Sequence, residues 1–181
     1  PNPSKMSKAT KKEILEMWSG LGYNSRAIRL HEASKILSKN SFDSIYPNFD
    51  ILPGVGEYTK NAILSFAYND KVIPQDTNVL RVFSRFFGTK DPKKFILENQ
   101  KNILKNIKSR KFNEVLMDFG SKICTSKNPS CNICIFDNEC KKFIQVKQST
   151  QPTFKDSDRE IRGKIIKHLL VNKNVDMLSL I

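Results

Sequence analysis

An all-α fold is predicted by three features of the sequence. Helix-capping signatures followed by apolar residues at three- and four-residue spacing occur at Thr10-Lys11-Lys12-Glu13, Asp76-Thr77, Asp91-Pro92 and Ser157-Asp158-Arg159-Glu160. No stretch alternates apolar and polar residues as a half-buried strand does. Turns rich in glycine, proline and asparagine separate the periodic runs, and no internal repeat is present.

Thr10 is expected to cap a helix whose apolar face is Ile14, Leu15, Met17 and Trp18, with Gly20 and Gly22 ending it. Residues 26–37 read as a second amphipathic helix with Ala33, Ile36 and Leu37 inward. Residues 40–50 are turn-rich, and Pro47 forbids one long helix there. A helical run over 61–68 then ends at Asn69-Asp70. Asp76 can cap a helix over 77–87, with Val79, Val82, Phe83 and Phe86 spaced for burial. Asp91-Pro92 opens another, through Leu97. Residues 101–111 hold Lys101, Lys105, Lys108, Arg110 and Lys111 with no acid among them. Lys101, Lys105 and Lys108 are expected to share a helical face, as solvated surface or as a nucleic-acid contact. Gln145–Gln151 reads as a polar linker, and Ile161, Ile165, Ile166, Leu169 and Leu170 stripe a last helix. The apolar end Met177–Ile181 suggests a cut inside an element.

Lys and Arg number 31 against 18 Asp and Glu, a net charge of +13 with a pI near 9.7. An excess that large favours a polyanionic partner, nucleic acid first and an anionic membrane surface second. No segment approaches the ~20 apolar residues that span a bilayer, so integral membrane insertion is excluded, and there is no secretion-signal pattern.

Chemistry concentrates in two places. In Leu52-Pro53-Gly54-Val55-Gly56-Glu57-Tyr58-Thr59, two glycines flank the small apolar Val55 just before a helix. Glycine permits positive φ and close approach to the backbone, and the N–H groups opening a helix can seat a phosphate. The same pattern also serves as a plain helix connection. One helix later stands Asp76, whose carboxylate can cap a helix and also face a ligand.

The second place is the cysteine loop. All four cysteines, Cys124, Cys131, Cys134 and Cys140, follow the spacing C-x6-C-x2-C-x5-C, with no histidine near. Four thiolates suit Zn²⁺ or an iron–sulfur cube, and wrapping all of them in one short loop favours one bulky cluster over a tetrahedral ion. Disulfides are the competing structural use. Lys122, Lys127, Lys141 and Lys142 surround the loop and can present it to phosphates.

These residues resemble a known family, the helix-hairpin-helix DNA glycosylases with an iron–sulfur loop, a group that includes endonuclease III. Within it the sequence is most similar to the MutY-type adenine glycosylases. The resemblance is carried by Trp18-Ser19-Gly20-Leu21-Gly22-Tyr23, the Leu52–Thr59 turn, Asp76-Thr77-Asn78-Val79-Leu80-Arg81-Val82, Leu116-Met117-Asp118-Phe119-Gly120 with Ile123-Cys124-Thr125, and the cysteine loop. The residues from Phe154 to Leu170 also look like an extension of some short MutY-like proteins.

The resemblance implies two helical lobes. A helix-hairpin-helix barrel lobe is expected over 1–71, the carboxylate helix and iron–sulfur lobe over 72–145, and a linker with a helical extension over 146–181. It implies a [4Fe-4S] cluster on the four cysteines and removal of a base flipped out of double-stranded DNA, by a monomer inside the cell with no membrane partner. Asp76 would stabilise the positive charge that builds on the sugar. Asn78 and Arg81 match family positions that support the carboxylate and the nearby DNA backbone. Leu21 and Tyr23 match positions that wedge beside the base opposite the target, 8-oxoguanine in MutY-type enzymes, and core packing is the competing use of Leu21. Gly54, Val55, Gly56 and Lys127 are the expected backbone contacts.

Tyr58 stands where endonuclease III has the lysine that attacks the sugar through a Schiff base. Lys60 is roughly 200° further round a helix and faces elsewhere. A monofunctional enzyme is therefore expected, with adenine opposite 8-oxoguanine or guanine as target. Thymine or uracil mismatch removal is the alternative, since tyrosine occurs at this position in that branch too. The glutamate that protonates adenine in the family is matched by none of Glu13, Glu16 or Glu32, nor is the domain that reads 8-oxoguanine present. The sequence thus reads as a family member cut short, and a non-catalytic DNA-binding fragment remains the reading from another class.

Overall fold

The computed structural model describes residues 2–143 and 153–171 as helices joined by turns, with no strand among the described residues. The helices are α1 (Pro3–Lys8), α2 (Lys11–Met17), α3 (Asn24–Leu37), α4 (Phe42–Ile45), α5 (Glu57–Phe66), α6 (Thr77–Phe87), α7 (Pro92–Ile103), α8 (Ser109–Lys122) and α9 (Asp158–Val171). Single 3-10 turns lie at Phe49–Ile51 and Cys131–Ile133. The all-α expectation holds. Among the described residues no helix is long and apolar enough to cross a membrane.

Capping explains where most helices start. At α2 the Thr10 hydroxyl accepts from the Glu13 amide at 3.2 Å and the Glu13 carboxylate accepts from the Thr10 amide at 2.7 Å. Hydrogen bonds from Thr10 hold the Glu13 carboxyl below its ordinary pKa. Asp91 accepts from the Lys94 amide at 3.0 Å and opens α7. The box expected at Ser157 closes differently. Ser157 Oγ accepts from the Glu160 amide at 3.4 Å, but the Glu160 carboxylate reaches the Asp156 amide at 2.8 Å. Helix α1 is an addition, though Asn2-Pro3 carries its signal: the Asn2 side chain accepts from the Lys5 amide at 2.9 Å and proline takes the first turn.

The chain divides into two compact units, Pro1–Gly54 with Gln148–Ile181, and Val55–Lys147. The sequence reading draws its boundaries after 71 and 145. Helix α5 falls in the second unit because it packs on α8. Helix α9 touches α2 and belongs with the first. The polar run Gln145–Gln151 and the apolar end Met177–Ile181 lie outside the described residues.

In the first unit α1 and α2 pack on α3, whose Ala27, Ala33 and Ser34 are buried and small enough for close approach. His31 is buried among them as a packing residue, 2% exposed. Ile36 and Leu37, expected inward, are only half-buried. The α9 stripe is not a core face either, since Ile161 and Leu169 are exposed.

The second unit has its own core. Ile73, Val79, Phe83, Ile96 and Leu104 are buried, and Phe87, Phe95 and Phe112 pack against them. The rings of Phe83, Phe87 and Phe95 lie 4.5–6.2 Å apart. Helix α7 runs past Leu97 because Ile96 and Ile103 continue its inner face, and it ends at Leu104, whose fully buried side chain turns the chain. Lys101 therefore lies in α7, Lys105 in the turn and Lys108 at the cap of α8. The single basic helical face expected for them does not form.

Candidate active site

Helix α5 begins with its donors open. Gly56 is the N-cap and offers no side chain. The amides of Val55, Gly56, Glu57 and Tyr58 donate to no acceptor among the described residues. With the helix dipole these N–H groups make a seat for one anion. The two glycines have different reasons. Gly54 has φ +87°, which a side chain would strain, whereas Gly56 is extended and its Cβ position opens to empty space. A Cβ on Gly54 would also stand 3.0 Å from Arg29 Cβ and 3.3 Å from its Cδ. The Arg29 stem thus lies along the turn, with the residue exposed and its guanidinium free of any partner among the described residues.

The segment leading into Asp76 is fixed by buried polar groups. The Val72 carbonyl accepts from Ser109 Oγ and Asn113 Nδ2, both at 2.9 Å, and the Ile73 amide donates to Gln100 Oε1 at 2.9 Å. Asn113 Nδ2 also donates to Ser65 Oγ on α5 at 2.7 Å. Ser65, Gln100, Ser109 and Asn113 were not legible as site residues. Gln100, Ser109 and Asn113 stand among charged and polar neighbours in the sequence, and nothing in the spacing marks them.

Asp76 is half-buried at the N-terminus of α6. Its Oδ1 accepts from the Val79 amide at 2.7 Å, and its Oδ2 takes only a long bond from Asn78 Nδ2 at 3.4 Å. Tyr58 is 44% exposed. Burial first, and then the Asp76 carboxylate, hold its phenol above the ordinary pKa, so it stays neutral beside Asp76. Arg81 donates through Nη2 to Asn78 Oδ1 at 2.8 Å and to the Gly120 carbonyl at 2.6 Å, and through Nε to the Cys124 carbonyl at 2.8 Å. It reaches Asp76 through Asn78. Burial lowers the Arg81 pKa against the opposing pull of Cys124. Gly120 makes this contact possible, since a Cβ there would stand 3.0 Å from Asn78 Cβ.

All four cysteines are free and half-buried. They line one cavity of about 350 Å³, together with Arg85, Phe86, Phe119, Lys127 and Phe136. Phe136 sits edge-on to Phe86 and Phe119 at 5.6 and 5.7 Å, closing the loop onto α6 and α8. Arg85, not singled out from the sequence, donates to the carbonyls of Thr125 at 2.6 Å and Ser126 at 2.9 Å and to Cys124 Sγ at 3.4 Å. Its own carbonyl accepts from the Phe143 amide at 3.3 Å, so one residue holds both ends of the loop. Among the described residues no three His, Cys, Asp or Glu side chains converge on one metal-ion position. Thiols ringing a volume fit a polynuclear cluster, whereas a lone Zn²⁺ would need all four sulfurs about 2.3 Å from one point.

Val55, Gly56, Tyr58, Asp76, Asn78, Arg81, Lys127 and the cysteines all lie in the second unit. Leu21, Tyr23 and Gly54 belong to the first. Leu21 is 68% exposed, which removes core packing as its use.

An open Gly-x-Gly turn feeding a helix, within an all-helical fold, is the arrangement expected of a helix-hairpin-helix protein. Residues 1–105 match the family described as HhH-GPD superfamily base excision DNA repair protein, and the chain belongs to that superfamily. It is 38% identical over 158 residues to the adenine DNA glycosylase of Buchnera aphidicola subsp. Baizongia pistaciae, covering 81% of this chain and 44% of that one. It is 31% identical over 180 residues to the adenine DNA glycosylase of Mycobacterium tuberculosis, covering 92% and 59%. The chain spans about half the length of these curated relatives, 44% and 59%. Among solved structures, a thermostable thymine-DNA glycosylase superposes with a TM-score of 0.69 at 29% identity, over 78% of this chain and 70% of that one. Endonuclease III trapped on DNA shares the fold, with a TM-score of 0.60 at 24% identity over 78% and 69%.

The Asp76 cap yields a direct expectation. Asp76→Ala leaves the Val79 amide without its acceptor and should cost about 1 kcal/mol of stability. Asp76→Asn keeps an acceptor in place and should cost far less. Urea unfolding of both variants checks this; equal losses would mean the carboxylate does not cap α6.

Proposed function

We propose that the protein is a monofunctional DNA glycosylase that hydrolyses the N-glycosidic bond of adenine mispaired with 8-oxoguanine or guanine in double-stranded DNA. The observation that carries this reading is the state of Asp76. One oxygen is locked to the α6 amide at 2.7 Å while the other has only a 3.4 Å contact, and the neighbour on α5 is a neutral phenol. In hydrolysis the bond from sugar C1′ to adenine breaks with its electrons leaving on the base, which takes a proton, and water adds to C1′. Positive charge builds on the sugar between these events. A carboxylate whose position is already fixed stabilises that charge without reorganising. Tyr58 cannot form an imine with the sugar, so base removal is not followed by strand cleavage.

The open amides of Val55–Tyr58 seat one backbone phosphate, and Lys127 of the same unit adds positive charge for the DNA backbone. The adenine choice rests on the relatives of that name. The superposition with a thymine-DNA glycosylase supports the second reading, a thymine or uracil mismatch enzyme.

Cys124, Cys131, Cys134 and Cys140 would hold a [4Fe-4S] cluster, with Arg85 bracing the loop. When bound, the cluster supplies a covalent staple and local charge.

Asp76→Asn in the full-length protein should slow adenine release by on the order of 10²–10³-fold, because the interaction exists only in the transition state. Affinity for the mispaired duplex should hold or tighten. Single-turnover release from adenine·8-oxoguanine, thymine·guanine and uracil·guanine duplexes decides both points. Wild-type rates in the variant would remove Asp76 from the mechanism, and release of thymine or uracil alone would select the second reading. For the cofactor, anaerobically prepared protein should carry iron and sulfide, both lost in Cys131→Ser. Stoichiometric zinc without iron would contradict the cluster.

A further inference from the structure

The turn between α2 and α3 uses backbone that ordinary residues avoid. Gly20, Gly22 and Tyr23 have φ of 89°, 69° and 50°, all in the left-handed region. A Cβ at Gly20 or Gly22 would meet nothing within 4 Å, so glycine stands there for conformation and not for space. Two bonds close the turn. The Leu21 amide donates to the Trp18 carbonyl at 3.1 Å, and the Trp18 indole Nε1 donates to the Gly22 carbonyl at 2.8 Å. What this turn presents is apolar: Met17 is 83% exposed, Leu21 68% and Tyr23 56%. Isolated exposed apolar side chains need no explanation, but a group of them raised on a left-handed turn and tied by a side-chain bond does.

We propose that Trp18 is a positioning residue for base extrusion: its indole N–H holds the Gly20–Tyr23 turn in the conformation that presents Leu21 to the duplex. This rests on the glycosylase reading, in which an apolar side chain must enter the stack as the target base leaves. Unstacking a base step costs a few kcal/mol, and ordering a loose side chain on binding would add about 0.5–1.5 kcal/mol more. A wedge fixed in advance avoids the second cost. Trp18 touches no substrate in this account and acts through the Gly22 carbonyl alone. The apolar bulk of the indole is not what the role requires; the single donor is.

Trp18→Phe keeps a ring and removes the donor. Gly22→Ala leaves the indole and disfavours the left-handed backbone. Leu21→Ala removes the wedge. Each is compared with wild type for affinity to a matched duplex and to one with a non-hydrolysable adenosine analogue opposite 8-oxoguanine. Fluorescence of 2-aminopurine beside the target reports extrusion, and thermal unfolding reports the fold. Trp18→Phe and Gly22→Ala should each lose about tenfold of the preference for the mispair, the scale of one hydrogen bond, together with the fluorescence rise. Matched-duplex affinity should stay at the wild-type value, and the thermal midpoint should fall by no more than about 2–4 °C, the size of one lost hydrogen bond or one strained residue. If Leu21→Ala loses the preference while Trp18→Phe and Gly22→Ala keep it, the positioning role is overturned and the glycosylase reading stands. If all three keep the wild-type preference, the wedge fails and the inference fails with it. A Trp18→Phe variant that unfolds leaves the decision to Gly22→Ala. Equal losses on both duplexes in the two variants would mark Trp18 as merely structural, which also overturns the proposal.

Discussion

Helix α6 is held from both ends by charge meeting backbone. At its start the Asp76 carboxylate accepts from the Val79 amide at 2.7 Å, and five and nine residues on, Arg81 and Arg85 give their guanidinium donors to carbonyls of Gly120, Cys124, Thr125 and Ser126. No carboxylate faces Arg85 in these bonds. Charge-assisted hydrogen bonds of this kind are worth about 1.5–3 kcal/mol each, and a guanidinium stripped of them would be costly in its half-buried site. The position of Asp76 and the shape of the cysteine loop therefore depend on one helix. Asn78 joins the two, giving a long bond to Asp76 and taking a short one from Arg81. Gly120 lets α8 come near enough for this to happen.

Much of this was legible in the sequence where the signal is local. The caps at Thr10, Asp76 and Asp91 name their helices because a side chain three residues before an orphan amide is a short-range chemical fact. The open amides at Gly56 follow from the absence of a capping side chain. What was not legible depends on which elements meet. Arg85 reads as an ordinary surface residue of α6 until the cysteine loop is folded back on it. Ser65, Gln100, Ser109 and Asn113 come from three helices to meet at Val72 and Ile73, and no spacing along the chain announces that.

Where the structure departs from the sequence reading, the reason is again which elements meet. The basic run 101–111 has helical spacing, but the buried Leu104 turns the chain within it, so tertiary packing overrides periodicity. Along the α9 stripe Ile161 and Leu169 are exposed, while Ile165, Ile166 and Leu170 are half-buried. The boundary near residue 71 follows the turn at Asn69-Asp70, whereas the compact units follow α5 onto α8.

The central claim is that chemistry here runs through a fixed carboxylate with no amine nucleophile, since a neutral Tyr58 occupies the neighbouring place on α5. Borohydride trapping on an abasic-site duplex tests this most directly, with Tyr58→Lys of the same protein as the comparison. The account predicts no stable cross-link for the wild type and its appearance in Tyr58→Lys. A wild-type cross-link formed as efficiently as the lysine variant forms one would contradict it.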